Sequence, residues 1–298
     1  MPKESFEQFV KRQEEKLDKA EKMVEGVKER WKDKIEEFEI EKSVEKSVKE
    51  LKKLWEENEK KVVSKSGNEV FSSFSFLPLP EIPPFLLERT SNKFLKEFDW
   101  EKFKGRIALE YDLSLLLSAF LNKNIENYIS SQKEKGIKEE KIKPIEVRLN
   151  VEELPVRLSY LGYQNPKKLH LIIEGDCKLF TGDKMQGGKI IVKGNCRNWT
   201  ASEMQGGEMI VKGNCGELIG VGMQGGKVTV EGNCGGRAGS DMRGGKLDIK
   251  GEVESFDKSA FSPHNKGVII WKRTKIWENG KWTKEGEEMW ERGEIPVG

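Results

Sequence analysis

A tandem repeat with a period of 19 residues constrains the fold of this chain more than any other feature of its sequence. Once per period a glycine is followed by an acidic or amide residue and a cysteine, and this element contains all four cysteines of the protein. The repeat cysteines are Cys177, Cys196, Cys215 and Cys234. A Met-x-Gly-Gly element keeps the same interval and begins at Met185, Met204, Met223 and Met242. Such regularity predicts a stack of equivalent structural units.

Each repeat predicts one short strand with a single buried face. Val228 and Val230 are apolar, whereas Lys227, Thr229 and Glu231 are polar, and this period of two is typical of a strand. A period this short cannot hold a strand, a crossover helix and a return, so each repeat fits one coil of a parallel β-helix, with four or five coils in all. The apolar positions expected inside are Ile190, Val192, Met209, Val211, Val228, Val230, Leu247 and Ile249. Ile191 and Ile210 break the outer pattern, which would place them under another segment.

Stacked coils would align equivalent side chains into columns. One column would be Asp176, Asn195, Asn214 and Asn233, whose amides could hydrogen-bond along the stack. The four cysteines would form a second column, and their phase relative to the inner valines predicts small, inward, inert side chains. Disulfides between coils or a bound thiophilic ion are the alternatives for this cysteine column.

The repeat resembles a known family of β-helical domains. The pattern Met-x-Gly-Gly-x-Ile-x-Val-x-Gly-Asn, with further glycines at Gly182, Gly220 and Gly239, is similar to the GXGXG repeat. That repeat occurs in one of the subunits of formylmethanofuran dehydrogenase and in the C-terminal domain of the glutamate synthase large subunit. The resemblance covers roughly residues 165–255, with cysteine at a usual alanine position and Ala201 in place of one glycine. It implies a right-handed parallel β-helix that acts as a scaffold for catalytic groups on other domains or subunits.

The candidate site residues are therefore structural. No catalytic, cofactor-binding or metal-binding residue is predicted, apart from the alternative metal role of the cysteine column. The predicted structural repeat residues are Gly175, Met185, Gly187, Gly188, Gly194, Asn195, Met204, Gly206, Gly207, Gly213, Asn214, Met223, Gly225, Gly226, Gly232, Asn233, Met242, Gly244, Gly245 and Gly251.

Residues 1–63 predict a long charged helix or a helical hairpin, because apolar residues recur with a period near 3.5 between Lys and Glu residues. The apolar seam is Phe6, Val10, Gln13, Leu17, Ala20, Val24, Val27 and Trp31, continued by Ile35 and Phe38. Its phase shifts near residues 40–43, as a stutter or a hairpin bend would require. The seam needs a partner, which could be later helices of this chain, a second copy of it, or another subunit.

The rest of the chain predicts two further regions, which complete an α+β fold. Residues 64–143 combine a Pro- and Phe-rich linker with a helical domain, and residues 144–298 form the β-helix with its caps. Pro155 to Pro166 would cover the open first coil, since exposed strand edges recruit other chains. After the repeats, which span about residues 169–251, Asn279-Gly280 predicts a hairpin turn in a C-terminal cap.

Composition argues against several functions. The net charge is +2 although 35% of the residues are charged, which disfavours nucleic-acid binding. The sequence shows neither a signal peptide nor a membrane span, so we expect a cytoplasmic protein. Abundant Lys and Glu resemble the composition of hyperthermophile proteins. His170 and His264 are the only histidines, and neither belongs to a metal or nucleophile motif.

The sequence therefore favours a non-catalytic scaffold or assembly protein over an enzyme. We expect a protein partner or a homo-oligomer through the N-terminal helices, and no cofactor. The alternative is an accessory subunit of an oxidoreductase or amidotransferase complex, similar to formylmethanofuran dehydrogenase or glutamate synthase.

Overall fold

The computed structural model describes residues 36–58, 67–103 and 107–298 of the chain. Most of the seam predicted for residues 1–63 thus lies outside the described residues. Contacts divide the chain into two compact units, Met1–Lys46 and Ser47–Gly298.

The described residues before the sheet are largely helical, as the apolar spacing predicts. Residues 36–58 form one uninterrupted helix (α1), so the phase shift at residues 40–43 is not a hairpin bend. On α1, Phe38 is 69% exposed, whereas Val48, Leu51 and Trp55 are buried. The other helices of this region are α2 (Gly67–Ser75), α3 (Leu87–Lys96) and α4 (Ile107–Glu134).

The proline-rich segment before α3 runs in an extended path along α4. Its backbone is held by Asn124, whose side-chain oxygen accepts from the Ile82 N–H over 2.9 Å and whose amide donates to the Pro80 carbonyl over 3.1 Å. The segment therefore packs on its own chain, while Phe76 and Phe85 at its two ends remain exposed.

The second half is a parallel β-solenoid of about five turns that continues into an antiparallel hairpin. A single nine-stranded sheet has the strand order of the sequence, and β1 to β7 are parallel. The strands are β1 (Ile145–Asn150), β2 (Leu169–Glu174), β3 (Lys189–Val192), β4 (Glu208–Val211), β5 (Lys227–Val230), β6 (Lys246–Ile249), β7 (Val268–Trp271), β8 (Thr274–Glu278) and β9 (Lys281–Trp282). The α+β class and the parallel solenoid are confirmed, and the right-handed winding stays a prediction.

Register follows the repeat. Ile190 of β3 pairs with Met209 of β4, and Met209 pairs with Val228 of β5, so residues 19 positions apart lie side by side. All three side chains are buried. Successive side chains of a strand point to opposite faces, so the polar residues next to them point outward. The predicted inner column is therefore the core of the solenoid.

Each coil also contains three alternate residues with positive φ, a conformation that favours glycine. One such set is Phe180, Gly182 and Lys184, and the next is Trp199, Ala201 and Glu203. Glycine occupies the middle position in most coils, and Ala201 adopts the same conformation with φ 57°. The glycines Gly182, Gly220 and Gly239 of the sequence pattern are the middle members of their sets, and the sequence pattern does not mark the two outer members.

Side chains from two helices close the first coil. Asn92 of α3 donates to the Arg148 carbonyl of β1 over 2.6 Å and accepts from the Asn150 N–H over 2.8 Å. One turn earlier on α3, Glu88 accepts from the Arg148 N–H over 3.0 Å. On α4, Asn122 donates to the Tyr163 carbonyl over 3.0 Å. These helices therefore cap the solenoid by satisfying the backbone groups of its open edge.

Residues 155–166, predicted to be this cap, instead belong to the first coil. The Leu158 carbonyl accepts from the Lys178 N–H over 2.8 Å, and the Leu161 carbonyl accepts from the Gly182 N–H over 2.9 Å. The prediction was wrong because the coil lacks the Met-x-Gly-Gly element that marks the later ones.

The C-terminal end is closed by the predicted hairpin and a further helix. β7 pairs antiparallel with β8, and Asn279 and Gly280 both have positive φ, as a type I′ turn requires. Thr283 begins α5 (Lys284–Glu291) by accepting from the Gly286 N–H. Its own N–H donates to the Ile276 carbonyl, which extends the pairing of β8 beyond the short edge strand β9.

Among the described helices, none has the length and apolar composition needed to cross a lipid bilayer.

Candidate functional site

The cysteine column lies inside the solenoid, as the repeat phase predicts. All four thiols are free, and their exposed fractions range from 1% at Cys177 to 7% at Cys215. The hydrogen bond to Cys196, together with burial, raises the pKa of the Cys177 thiol well above its ordinary value. Burial and hydrogen bonds to Cys196 and Cys234 raise the pKa of the Cys215 thiol in the same way. These shifts keep Cys177 and Cys215 protonated, whereas hydrogen bonds with these two thiols lower the pKa of the Cys196 thiol well below its ordinary value. Burial then separates all four sulfurs from reagents in solution.

The four cysteines are stacked in a line along the solenoid and do not surround a common point. Successive cysteines lie about 4.8 Å apart along the stack, the spacing of paired strands. In the described part of the chain, no three His, Cys, Asp or Glu side chains converge on a point that could hold a metal ion.

A second sulfur column explains the constant spacing of the Gly-Gly pairs within this chain. The methionines of the repeat are at most 2% exposed. A Cβ atom on Gly207 would lie 2.6 Å from the Met185 Cε, and one on Gly226 would lie 2.7 Å from the Met204 Cε. Each Met-x-Gly-Gly element therefore leaves room for the thioether of the preceding coil.

Buried asparagines replace methionine where the column meets the caps. Asn165 is fully buried and donates to the Leu169 and Gly187 carbonyls over 3.0 and 3.1 Å. At the other end, Asn265 is fully buried and donates to the Ala260 carbonyl over 2.7 Å. Sequence reasoning missed both residues, because each stands outside a recognisable repeat element.

The amide column differs in detail from its prediction. The Asn195 side-chain oxygen accepts from the backbone N–H of Asn214 over 2.8 Å, and the Asn214 oxygen accepts from the Asn233 N–H over 2.8 Å. The expected bond between side chains is present where the Asn195 amide donates to Asp176 over 3.0 Å. Arg157 completes this end with an ion pair to Asp176 of 2.8 Å.

Charged columns run along the outer face of the sheet. Glu208 lies between Lys189 and Lys227, with N–O distances of 2.9 and 3.0 Å. Hydrogen bonds from these two lysines lower the pKa of the Glu208 carboxyl. Lys212 and Glu231 form an equivalent pair of 2.6 Å on the other edge of the face. The outward Ile residues of the sequence pattern are half-buried between these charged columns.

An aromatic stack continues on another corner of the solenoid. The Tyr160 and Phe180 rings are nearly parallel, with centroids 4.7 Å apart, and Trp199 stacks on Phe180 at 5.5 Å. These are the first members of successive positive-φ sets, so the repeat places them one above another. No sequence signal marks them, because the equivalent residues of later coils are Leu218 and Arg237.

Three further titratable groups with raised or lowered pKa values, all within the residues that the structure describes, lie apart from one another along the chain. Burial raises the pKa of Asp183 to about 6 and that of Asp112 to about 7. Burial, followed by the charge of Lys189, lowers the pKa of His170, and His264 is exposed at the C-terminal cap.

A polar cleft of about 550 Å³ opens beside the first coil. Its charged walls include Arg157 and Asp176, which pair with each other, and Lys193, which pairs with Glu174 over 2.6 Å. These charged side chains are thus paired with each other within the protein, and none of them is an activated nucleophile.

Together these columns define a class of protein, a parallel β-solenoid that N-terminal helices precede. The chain matches no protein-family model, no curated protein and no solved structure.

Proposed function

We propose that this chain is a non-catalytic scaffold, a rigid column that holds other polypeptides in fixed positions. The observation that carries the proposal is the state of the two sheet edges: Glu88 and Asn92 cap the first strand, and the last strand, β9, is only two residues long. Edges of this kind resist the addition of strands, so the contacts of the column with other chains fall on its sides and on the N-terminal segment. Its interior is filled by packing side chains.

Association through the N-terminal segment is the second part of the proposal. The seam from Phe6 to Trp31 has the spacing of a coiled coil, and most of it lies outside the described residues. Beyond the phase shift the pattern resumes at Val44, Val48 and Leu51, which are buried within this chain. Before it, Phe38 is 69% exposed, which supports a partner from another molecule for the first part of the seam. That partner is a second copy of the chain or another subunit.

The test measures the mass of the full-length protein by light scattering, alone and after affinity isolation from its native cell. A seam variant carries Val10→Glu, Leu17→Glu and Val24→Glu, and its control carries Lys11→Glu, Lys19→Glu and Lys22→Glu outside the seam. We expect an oligomer or a stoichiometric complex that the seam variant loses and the control keeps. A monomer that isolates alone, or an assembly indifferent to the seam variant, would refute the proposal.

An accessory-subunit role is the alternative function. It is favoured by the alternate positive-φ residues of each coil, such as Phe180, Gly182 and Lys184, which have the spacing of a G-X-G-X-G element. The affinity isolation distinguishes the two roles, because co-isolation of a molybdenum or tungsten subunit or of a glutamine amidotransferase would favour the alternative.

We further propose that the protein functions in the cytoplasm of an organism that grows at high temperature. Free buried thiols such as Cys196 support a reducing compartment, and ion pairs repeated from coil to coil, such as Lys189 with Glu208, support thermostability. Measured unfolding above about 90 °C would support the thermophilic setting.

A further inference from the structure

The C-terminal helix α5 presents a fixed, exposed aromatic ring. Trp290 is 46% exposed, the highest fraction among the tryptophans that the structure describes. One face of its ring stacks on Trp282, with centroids 5.4 Å apart, and Trp282 stacks in turn on Phe261 at 4.4 Å. Trp277 meets Trp282 edge-on at 5.3 Å, which ties the stack to the sheet. The ring is therefore held rigidly without being buried.

Two carboxylates lie beside this ring on α5. Glu287, three residues before Trp290, and Glu291, which follows it, are exposed, and neither forms an ion pair within the described ranges. The nearest cation at the helix end, Arg292, is engaged by Glu294 over 2.6 Å.

Helix stability accounts for only part of this charge. Glu285 and Glu287 lie in the first turn, where carboxylates favour the helix dipole. Glu288 lies four residues before Arg292, whose pKa its charge helps to raise, so it has a favourable local partner. Glu291 is the last residue of the helix, where the dipole disfavours negative charge, and Glu287 repels it from four residues earlier. The charge of Glu291 thus breaks local rules, which is a mark of functional surfaces.

We propose that the Trp290 face of α5 is a docking surface for an arginine- or lysine-rich segment of a partner protein. Tryptophan is the best aromatic acceptor for a cation over its ring, and Arg is enriched beside aromatic residues at interfaces. The carboxylates supply a rim of opposite charge, and the Trp282 stack holds the central ring in place before binding. This surface is separate from the N-terminal seam and gives the scaffold a second point of attachment.

The experiment uses the full-length protein and a fluorescent peptide of alternating arginine and alanine, with a glutamate–alanine peptide as its counterpart. Binding is measured by fluorescence anisotropy at two salt concentrations, and the tryptophan indole N–H signals are followed by NMR. We expect the arginine peptide to bind and to shift the Trp290 indole signal, and the glutamate peptide to do neither.

Two variants of the surface test the assignment. We expect Trp290→Ala, and separately the triple variant Glu287→Gln, Glu288→Gln and Glu291→Gln, each to weaken binding roughly tenfold. A control variant carrying Phe76→Ala and Glu254→Gln removes an exposed ring and an exposed carboxylate elsewhere and should bind like the parent. The proposal is overturned if the peptide does not bind, or if the control loses as much affinity as the α5 variants. It is also overturned if the triple variant, which leaves the ring stack intact, binds unchanged.

Discussion

The side-chain oxygen of Asn214 accepts a hydrogen bond of 2.8 Å from the backbone N–H of Asn233, one coil further along the solenoid. Asn214 itself donates its backbone N–H to the residue one coil earlier, so each side chain in this column satisfies the turn of the next coil. The bond needs only an acceptor oxygen, which explains why Asp176 can occupy the first position of the column.

We predict that Asn214→Ala destabilises the protein by about 1 kcal/mol, because the Asn233 N–H loses its acceptor. Asn214→Asp keeps an acceptor oxygen and should lose less. Urea unfolding of the two variants and the parent at pH 7 checks the order. Equal losses for alanine and aspartate would contradict the role assigned to this oxygen.

A second prediction separates backbone strain from steric conflict at two glycines with positive φ. Gly220→Ala should cost about 1–2 kcal/mol, since its new Cβ would meet only Leu247 and Met223 at 3.9 Å and left-handed strain alone remains. Gly207→Ala should cost at least about 4 kcal/mol, because its Cβ would lie 2.6 Å from the Gly187 backbone carbon. Thermal or urea unfolding measures both, and similar losses would show that the coils can separate to admit a methyl group.

The N-terminal cap gives a third prediction. Asn92→Ala removes both side-chain hydrogen bonds to β1 and should destabilise the protein by about 1–3 kcal/mol. The freed strand edge should also promote self-association, visible as concentration-dependent mass in light scattering. Lys96→Ala, an exposed residue on the same helix, is the control and should change neither quantity. Unchanged association in Asn92→Ala would mean that the remaining cap contacts suffice.

A fourth prediction concerns pH. Burial raises the pKa of Asp183 to about 6 from an ordinary 3.8, so ionising this carboxyl is less favourable in the folded than in the unfolded state. The free energy of unfolding should therefore fall as pH rises from about 4 to about 6, and the full loss of about 3 kcal/mol applies above that range.

Asp183→Asn removes this ionisation and should stabilise the protein more at pH 7.5 than at pH 4. The comparison cancels the separate contribution of Asp112, which both proteins retain. Urea unfolding at the two pH values provides the measurement, and a stability difference independent of pH would argue that Asp183 titrates normally.

A fifth prediction follows from the buried thiols. In the folded protein none of the four cysteines should react with a thiol reagent within the time in which the unfolded protein reacts fully. Unfolding in denaturant without reductant should release four reactive thiols. Fewer than four would indicate disulfides between coils.

The regular part of the fold could be predicted because its signal is local and repeated. The alternation at Val228 and Val230 fixes the inner face, and the constant interval fixes the register from coil to coil. The caps could not be predicted in the same way. Glu88 and Asn92 resemble ordinary surface residues of an amphipathic helix, and their role depends on a strand more than fifty positions later.

The site residues show the same division. The repeat spacing predicts buried cysteines and methionines, whereas the left-handed conformation of Phe180 and Trp199 leaves no trace in residue type. The exposure of the Trp290 ring is likewise not predictable from residue type. Exposure there depends on how α5 lies across the last strands, which is a tertiary property.

The constant interval between coils has a consequence for how such a protein can change length. The hydrogen bond from the Asn214 N–H to the Asn195 side chain recurs 19 residues later, from the Asn233 N–H to Asn214. A duplicated segment of that length inserted between the caps would therefore meet the same backbone partners on both sides. Each insertion would separate the two ends by about 4.8 Å more, so the gene can set the distance between attached partners in uniform steps.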